Sequence, residues 1–129
     1  MRQRERFTLQ KRARSFGFAW HGLVILIQTQ HNAWIHAVAT LVVLVAGLLA
    51  GVSRADWGLL TLATVAVWSA EALNTAVEAL GDAVAPSDNE LIGVAKDVAA
   101  GAVLVAAVGS IVIASLVFWP HLTRLARPA

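Results

Sequence analysis

The acidic residues of this 129-residue chain are concentrated in one stretch that apolar stretches flank on both sides. Six of its eight aspartates and glutamates lie between residues 71 and 97, namely Glu71, Glu78, Asp82, Asp88, Glu90 and Asp97. Carboxylates are hard oxygen ligands that Mg²⁺ accepts, and the lysine among them, Lys96, is a point-charge partner for phosphate. Phosphoryl transfer needs mainly positioning, charge neutralisation and an acceptor for one proton, so this set of residues could carry it out.

Four polar residues of this stretch share one face of a helix. A rotation of about 100° per residue brings Glu71, Asn74, Glu78 and Asp82 to the same side, before a polar turn around Pro86. Glu71 lies about two turns before Glu78, where it could accept the proton of a lipid hydroxyl. A carboxylate inside a bilayer costs about 2.5 kcal/mol or more, which favours a functional role over a structural one.

The composition of the chain indicates a membrane protein. Hydrophobic residues make up 58% of the chain, charged residues make up 14%, and the mean hydropathy is +0.69. A spanning helix needs about 20 apolar residues. Residues 33–52 and 98–119 meet this requirement, and a third stretch from Trp57 meets it only if its helix continues past Glu71. We therefore expect an all-α membrane protein of one domain, residues 1–129, with transmembrane helices at 32–52, 56–84 and 94–119.

A basic segment precedes the first span. Phe16, Trp20, Leu23 and Ile27 recur there at helical spacing, which predicts an amphipathic surface helix at 5–28. Six basic residues of this segment and Lys96 fall on one side of the membrane, and three basic residues fall on the other. We therefore expect the N-terminus and the acidic stretch on the cytoplasmic side, where ATP is.

Two smaller features of the spans predict contacts. Gly47 and Gly51 form a small-xxx-small pair near the end of the first span, which could allow close helix packing. Trp57, after the following turn, is expected to anchor the second span at the membrane interface.

Several classes of protein and site are disfavoured by the sequence. The chain has no cysteine, which excludes disulfides and thiolate metal sites. It has no Walker A motif, its basic cluster suits an anionic leaflet better than nucleic acid, and we expect no cleaved signal. The histidines His21, His31 and His36 lack metal-ligand spacing and are expected at the membrane interface.

Two sequence blocks resemble a known family of enzymes. The pattern E-x-L-N-[ST]-A-[IV]-E-x-x-x-D is matched by residues 71–82, and A-K-D-x-x-[AS]-[AG]-A-V is matched by residues 95–103. The segment GFAWHGL at 17–23 fits the aromatic-glycine entry of the same family. From about Ser15 to Pro120 the chain resembles the small prokaryotic integral-membrane lipid kinases, the diacylglycerol kinase and undecaprenol kinase family.

This resemblance implies a homotrimer in the bacterial plasma (inner) membrane that phosphorylates a lipid alcohol with ATP and Mg²⁺. Neighbouring subunits would share active sites at the cytoplasmic surface. Glu71 would be the catalytic base, and Glu78 and Gln30 would hold the metal ion. The nucleotide-binding residues would be Lys11, Phe18, Ser87, Asp88, Asn89, Lys96 and Asp97. The lipid-binding residues would be Ser15, Phe16, Gly17, Ala19, Trp20, Asn74 and Ala100.

The chain departs from the family pattern at three positions. Gln30 stands where relatives carry a metal-binding glutamate, Asn89 where a histidine is usual, and Phe18 where a tyrosine can occur. A glutamine offers Mg²⁺ an oxygen but no charge, so weaker metal binding is expected. A catalytically weakened homologue is therefore one alternative. Undecaprenol is the favoured substrate from the resemblance, and diacylglycerol is the alternative.

Two different classes of protein share the length and hydrophobicity of this chain. A small transporter could use Glu71 as its intramembrane carboxylate, but it would not need further charged residues gathered on one cytoplasmic side. A purely structural membrane partner is disfavoured by the cost of placing Glu71 in the bilayer.

Overall fold

The computed structural model describes residues 9–85 and 89–125. These ranges form four helices and contain no strand: α1 (Leu9–Thr29), α2 (His31–Ala50), α3 (Arg54–Val84) and α4 (Glu90–Leu125). The last three helices are long and apolar enough to cross a membrane. The predicted fold class, three spanning helices after an additional N-terminal helix, is confirmed.

A single residue joins α1 to α2. Gln30 has an extended backbone, its N–H donates to the carbonyl of Leu26, and its own carbonyl accepts from the N–H of Ala33. Leu26 and Ala33 are both buried. The Gln30 side chain makes no capping hydrogen bond to α2, so it can reach towards another helix.

The turn between α2 and α3 is capped on both sides. Gly51 adopts the left-handed conformation (φ 62°), and the N–H of Val52 donates to the Gly47 carbonyl, which ends α2 in a Schellman motif. Ser53 and Asp56 then form a reciprocal capping box at the start of α3. These caps explain why α2 ends at residue 50 and not at the expected 52.

The ends of α4 also differ from the expected 94 and 119. The side-chain oxygen of Asn89 accepts from the N–H groups of Leu91 and Ile92, so the helix begins at Glu90. It continues through Pro120 because a proline removes one backbone hydrogen bond without ending the helix by itself.

The helices α3 and α4 form the most extensive contact of the fold. A small core of Val52, Leu60 and Val117 lies near the turn between α2 and α3. Most large apolar side chains of α2 and α4 are exposed in the single chain, as expected for helices that are covered by lipid or by other subunits.

Gly47 and Gly51 have two different roles. A Cβ atom on Gly47 would lie 2.7 Å from Trp57 Cη2, so this glycine makes room for the indole ring of α3. Gly51 supplies the left-handed turn described above. Gly47 therefore allows Trp57 to pack against α2 within the chain, and Gly51 ends α2.

Candidate active site

The centre of the candidate site is Glu71, whose side chain is fully buried in the middle of α3. His36 of α2 faces it, with Nε2 at 3.6 Å from Glu71 Oε2. Within the described part of the chain, neither Glu71 oxygen nor His36 Nε2 has a hydrogen-bond partner. A buried polar group without a partner is costly, so these atoms are candidates for binding a ligand.

A small network holds the histidine in place. Thr40 Oγ1 donates to the backbone carbonyl of His36 at 2.7 Å, and Trp68 Nε1 of α3 donates to Thr40 Oγ1 at 3.1 Å. The rings of His36 and Trp68 pack edge to face, with centroids 6.4 Å apart. The histidine is therefore tied to both α2 and α3.

A second carboxylate, Glu78, lies two turns along α3 between two amides. Asn74 Nδ2 donates to Glu78 Oε1 at 2.9 Å, and Gln30 Nε2 donates to Glu78 Oε2 at 3.4 Å. Asn74 Oδ1 is buried without a partner in the described residues. Gln30 and Asn74 thus orient both oxygens of this half-buried carboxylate.

A cavity of about 310 Å³ connects these groups. Its polar wall comes from α2 and α3, and its apolar wall comes from α4. The described lining residues are Asn32, Ile35, His36, Glu71, Asn74, Glu78, Ala100, Val103, Leu104 and Ala107. The cavity therefore places a buried carboxylate beside a surface that suits a hydrocarbon chain.

A charged pair lies one further turn along α3. Lys96 Nζ of α4 forms a salt bridge with Asp82 Oδ1, and the aspartate is largely exposed. The close approach depends on Gly81, where a Cβ atom would lie 2.9 Å from Lys96 Cε and 2.8 Å from Ile92 Cγ2. The carboxylates of Glu71, Glu78 and Asp82 thus follow one face of α3 to its end, where a cation is held.

Comparison with known proteins assigns this arrangement to a family. Residues 17–118 match the family model described as prokaryotic diacylglycerol kinase. The chain belongs to this family. This membership confirms the predicted enzyme class, a lipid kinase. It also favours the kinase hypothesis over the transporter hypothesis.

Individual members of the family are similar over most of the chain. The undecaprenol kinase of Bacillus subtilis (strain 168) is 38% identical over 109 residues, which cover 84% of this chain and 89% of that protein. The diacylglycerol kinase of Synechocystis sp. is 37% identical over 112 residues, 86% of this chain and 64% of that protein. The diacylglycerol kinase of Escherichia coli (strain K12) is 30% identical over 112 residues, 81% of this chain and 86% of that protein.

The other predicted site residues of this family member lie in α3, in and just before the N-terminal part of α4, and in α1. Asn74 and Ala100 line the cavity with Glu71. Asp97 is exposed, and the Asn89 side chain caps α4. Ser87, Asp88 and the side chain of Lys11 lie outside the described residues.

The α1 residues predicted for the lipid and nucleotide are not brought to Glu71 within one chain. Ser15, Phe16, Gly17, Phe18, Ala19 and Trp20 are all exposed. Trp20 lines a separate groove between α1 and α3, with Trp68 on the opposite wall. The described lining of the Glu71 cavity comes from α2, α3 and α4 alone.

His36 and Asn32 are the polar residues of the described cavity lining that sequence reasoning did not select. His36 was expected at the membrane interface because its spacing from His31 does not form a metal pair. Within the chain its side chain is only 13% exposed and faces Glu71, a contact that its spacing did not reveal. The available signal was its place in the segment QHNAWIH at 30–36, which also contains Gln30.

Proposed function

We propose that this family member transfers the γ-phosphoryl group of ATP to the hydroxyl group of a membrane lipid alcohol, with Mg²⁺. The observation that carries the proposal is Glu71, a buried carboxylate without hydrogen-bond partners in the described residues, which opens into a cavity with an apolar α4 wall. A lipid alcohol has a hydroxyl group for this carboxylate and a hydrocarbon chain for the apolar wall.

Glu71 is the proposed general base. One of its oxygens would accept the proton of the lipid hydroxyl as the hydroxyl oxygen attacks the γ-phosphorus and the bond to the β-phosphate breaks, which releases ADP. A positioned base of this kind contributes about 10²–10⁴-fold in rate. Asn74 holds Glu78 through its amide nitrogen and presents its own buried oxygen to the cavity. Two different carboxylates are therefore proposed for the two tasks: Glu71 accepts the proton, and Glu78 binds the metal ion.

The residues around Glu78 fit a magnesium ion. Mg²⁺ is commonly bound by one or two carboxylates together with substrate phosphates. Glu78 supplies one carboxylate, and the amide of Gln30, turned by 180°, supplies an oxygen from α2. No cluster of three His, Asp or Glu residues that could hold a metal occurs among the described residues, so phosphate oxygens must complete this site. The bound ion would neutralise phosphate charge.

The nucleotide is proposed to bind beyond Glu78, at the ends of α3 and α4. Lys96 forms its salt bridge with the exposed Asp82 at this end, and its ammonium group can exchange the aspartate for a phosphate oxygen. Asp97 and the residues of the 87–89 turn are proposed to contact the rest of the nucleotide. Lys11 and Phe18 are proposed to approach it from α1.

The proposed assembly is a homotrimer in the bacterial inner membrane, with the N-terminus in the cytoplasm. The exposed α1 residues 15–20 would then complete the lipid side of the active site of a neighbouring subunit. Two features support this arrangement: these residues do not line the Glu71 cavity of their own chain, and α2 and α4 expose large apolar faces.

Undecaprenol is the proposed lipid. The support is the 38% identity to a protein named undecaprenol kinase, which extends over 89% of that protein. Diacylglycerol is the second candidate, because proteins named diacylglycerol kinase are 37% and 30% identical. Either lipid presents a hydroxyl group next to long hydrocarbon chains.

The test is transfer of radiolabelled phosphate from ATP and Mg²⁺ to lipid by the purified protein in mixed micelles. Undecaprenol and diacylglycerol are offered separately and together, and E71Q is the inactive control. Label in undecaprenol alone is the expected result, whereas preferential label in diacylglycerol would overturn the substrate assignment. Label in neither lipid would support a catalytically weakened homologue, for which the replacement of a glutamate by Gln30 is the specific reason.

A further inference from the structure

His36 lies beside the proposed base without a role in the reaction so far. Its Nε2 is 3.6 Å from Glu71 Oε2, within reach of an ion pair but too far for a hydrogen bond. Both side chains are buried, and in the described residues the facing atoms have no other partner. A shift of less than 1 Å would close the gap to an ordinary hydrogen-bond length.

We propose that His36 is a positioning residue for the lipid kinase reaction. Its Nε2–H donates to Glu71 and keeps the carboxylate aimed at the lipid hydroxyl. This inference rests on the proposed function and assigns one more residue to the same site. A neutral imidazole with its proton on Nε2 is sufficient for this role.

The surroundings of Glu71 explain why a donor is needed there. A buried carboxylate whose oxygens have no hydrogen-bond donor bears the full cost of burial, and nothing fixes its orientation. The described lining of the cavity supplies no lysine or arginine, and its α4 wall is entirely apolar. Lys96 is engaged with Asp82, and the second titratable lining group on α3 is another carboxylate, Glu78.

The histidine is also held as a positioning residue should be. Its backbone carbonyl accepts from Thr40, Thr40 accepts from Trp68, and the Trp68 ring packs against the imidazole. These contacts join α2 to α3 next to the imidazole ring. The imidazole therefore has few alternative positions.

The two helices repeat the same pairing at two depths. His36 lies six positions after Gln30, the residue that precedes α2, and Glu78 lies seven positions after Glu71 on α3. Gln30 donates to Glu78, and His36 faces Glu71. Two carboxylates of α3 thus each have a polar partner from α2 or the residue before it. Glu78, the proposed metal ligand, is paired with Gln30, and Glu71, the proposed base, is paired with His36.

The test compares H36Q with H36M, because the two replacement side chains have similar length and shape but only glutamine carries N–H donors. With the full-length protein in mixed micelles, kcat for H36M is expected to fall about 10–100-fold, as seen when outer partners of functional groups are lost. H36Q is expected to stay within about threefold of the wild type, and KM for ATP is expected to remain unchanged in both. H121Q, at the far end of α4, is the control for a histidine replacement outside the site.

A double substitution separates positioning from general destabilisation. If His36 acts through Glu71, adding H36M to E71Q should lower the residual rate by less than about threefold, because there is no longer a carboxylate to orient. A full additive loss would overturn the proposal, and so would equal rates for H36Q and H36M. Phosphate transfer by the wild type keeps the proposed function intact in either case, whereas its absence would contradict the proposed function itself.

Discussion

Gln30, the single residue that separates α1 from α2, donates from Nε2 to Glu78 Oε2 on α3 across 3.4 Å. The joint between the first two helices is therefore also part of the candidate metal site. A change in the charge of this side chain should act directly on metal binding, because its partner is the carboxylate that is proposed to bind the metal ion.

Q30E is expected to lower the Mg²⁺ concentration required for half-maximal activity by about tenfold. A second carboxylate contributes charge that an amide does not, and outer and inner ligands of metal sites commonly change affinity by about 10–100-fold. The measurement is the rate of lipid phosphorylation as a function of Mg²⁺ at fixed ATP. The matched control is Q28E on the exposed surface of α1. The same Mg²⁺ requirement in Q30E and the wild type would remove Gln30 from the metal site.

E71Q is expected to lose catalysis while gaining stability. Removal of a general base lowers kcat by about 10²–10⁴-fold, and nucleotide binding should persist because Glu78 and Lys96 are unchanged. A neutral amide is cheaper to bury than an unpaired carboxylate, so thermal unfolding in detergent should occur at an equal or higher temperature. E90Q, at an exposed acidic residue, should change neither property. Full activity in E71Q would show that another group accepts the proton.

G81A is expected to destabilise the fold, whereas G93A is expected to stabilise it. A Cβ atom at position 81 would lie 2.8 Å from Ile92 Cγ2 and 2.9 Å from Lys96 Cε, so α4 or these side chains must shift. Nothing lies within 4 Å of a Cβ atom at position 93, where replacing a helical glycine gains about 0.5–1 kcal/mol. Thermal unfolding and KM for ATP check both variants, and KM should rise only in G81A. A stabilised G81A would contradict the close packing of α3 on α4.

K96M and D82N are expected to separate binding from stability. The Lys96–Asp82 salt bridge joins a partly exposed lysine to a largely exposed aspartate, and such pairs are worth about 0–1 kcal/mol. Both variants should therefore unfold close to the wild-type temperature. K96M should raise KM for ATP about tenfold or more because a phosphate loses its cation, while D82N should leave it within about threefold. A similar KM in K96M and the wild type would exclude Lys96 from the nucleotide site.

The face of α3 that carries the acidic residues could be predicted from the sequence. Helical periodicity alone puts Glu71, Asn74 and Glu78 on one side, and the structure places all three on one cavity. His36 could not be found in this way, because its position opposite Glu71 depends on how α2 crosses α3. Periodicity within one helix does not contain that information.

The start of α4 and the approach of α1 to a site depend on information that the local sequence does not carry. The Asn89 side-chain oxygen caps the helix and moves the start of α4 to Glu90, whereas its role as a nucleotide ligand stays a prediction. The α1 residues 15–20 were assigned to the lipid side by resemblance. Their approach to any Glu71 depends on a second copy of the chain, which neither local patterns nor the fold of one chain can supply.

The capped turn of Gly51 and Ser53 fixes the angle between α2 and α3. His36 lies about 14 residues from the turn along α2 and Glu71 about 17 residues from it along α3, so the helix segments that lead to them are roughly 21 and 26 Å long. At that distance, a change of about 2° in the angle between α2 and α3 alters the separation of the His36 and Glu71 side chains by roughly 0.8 Å. The alignment of His36 with Glu71 therefore depends on backbone geometry at the far end of α2 and α3, and a side chain that strains Gly51 would displace Glu71 without touching it.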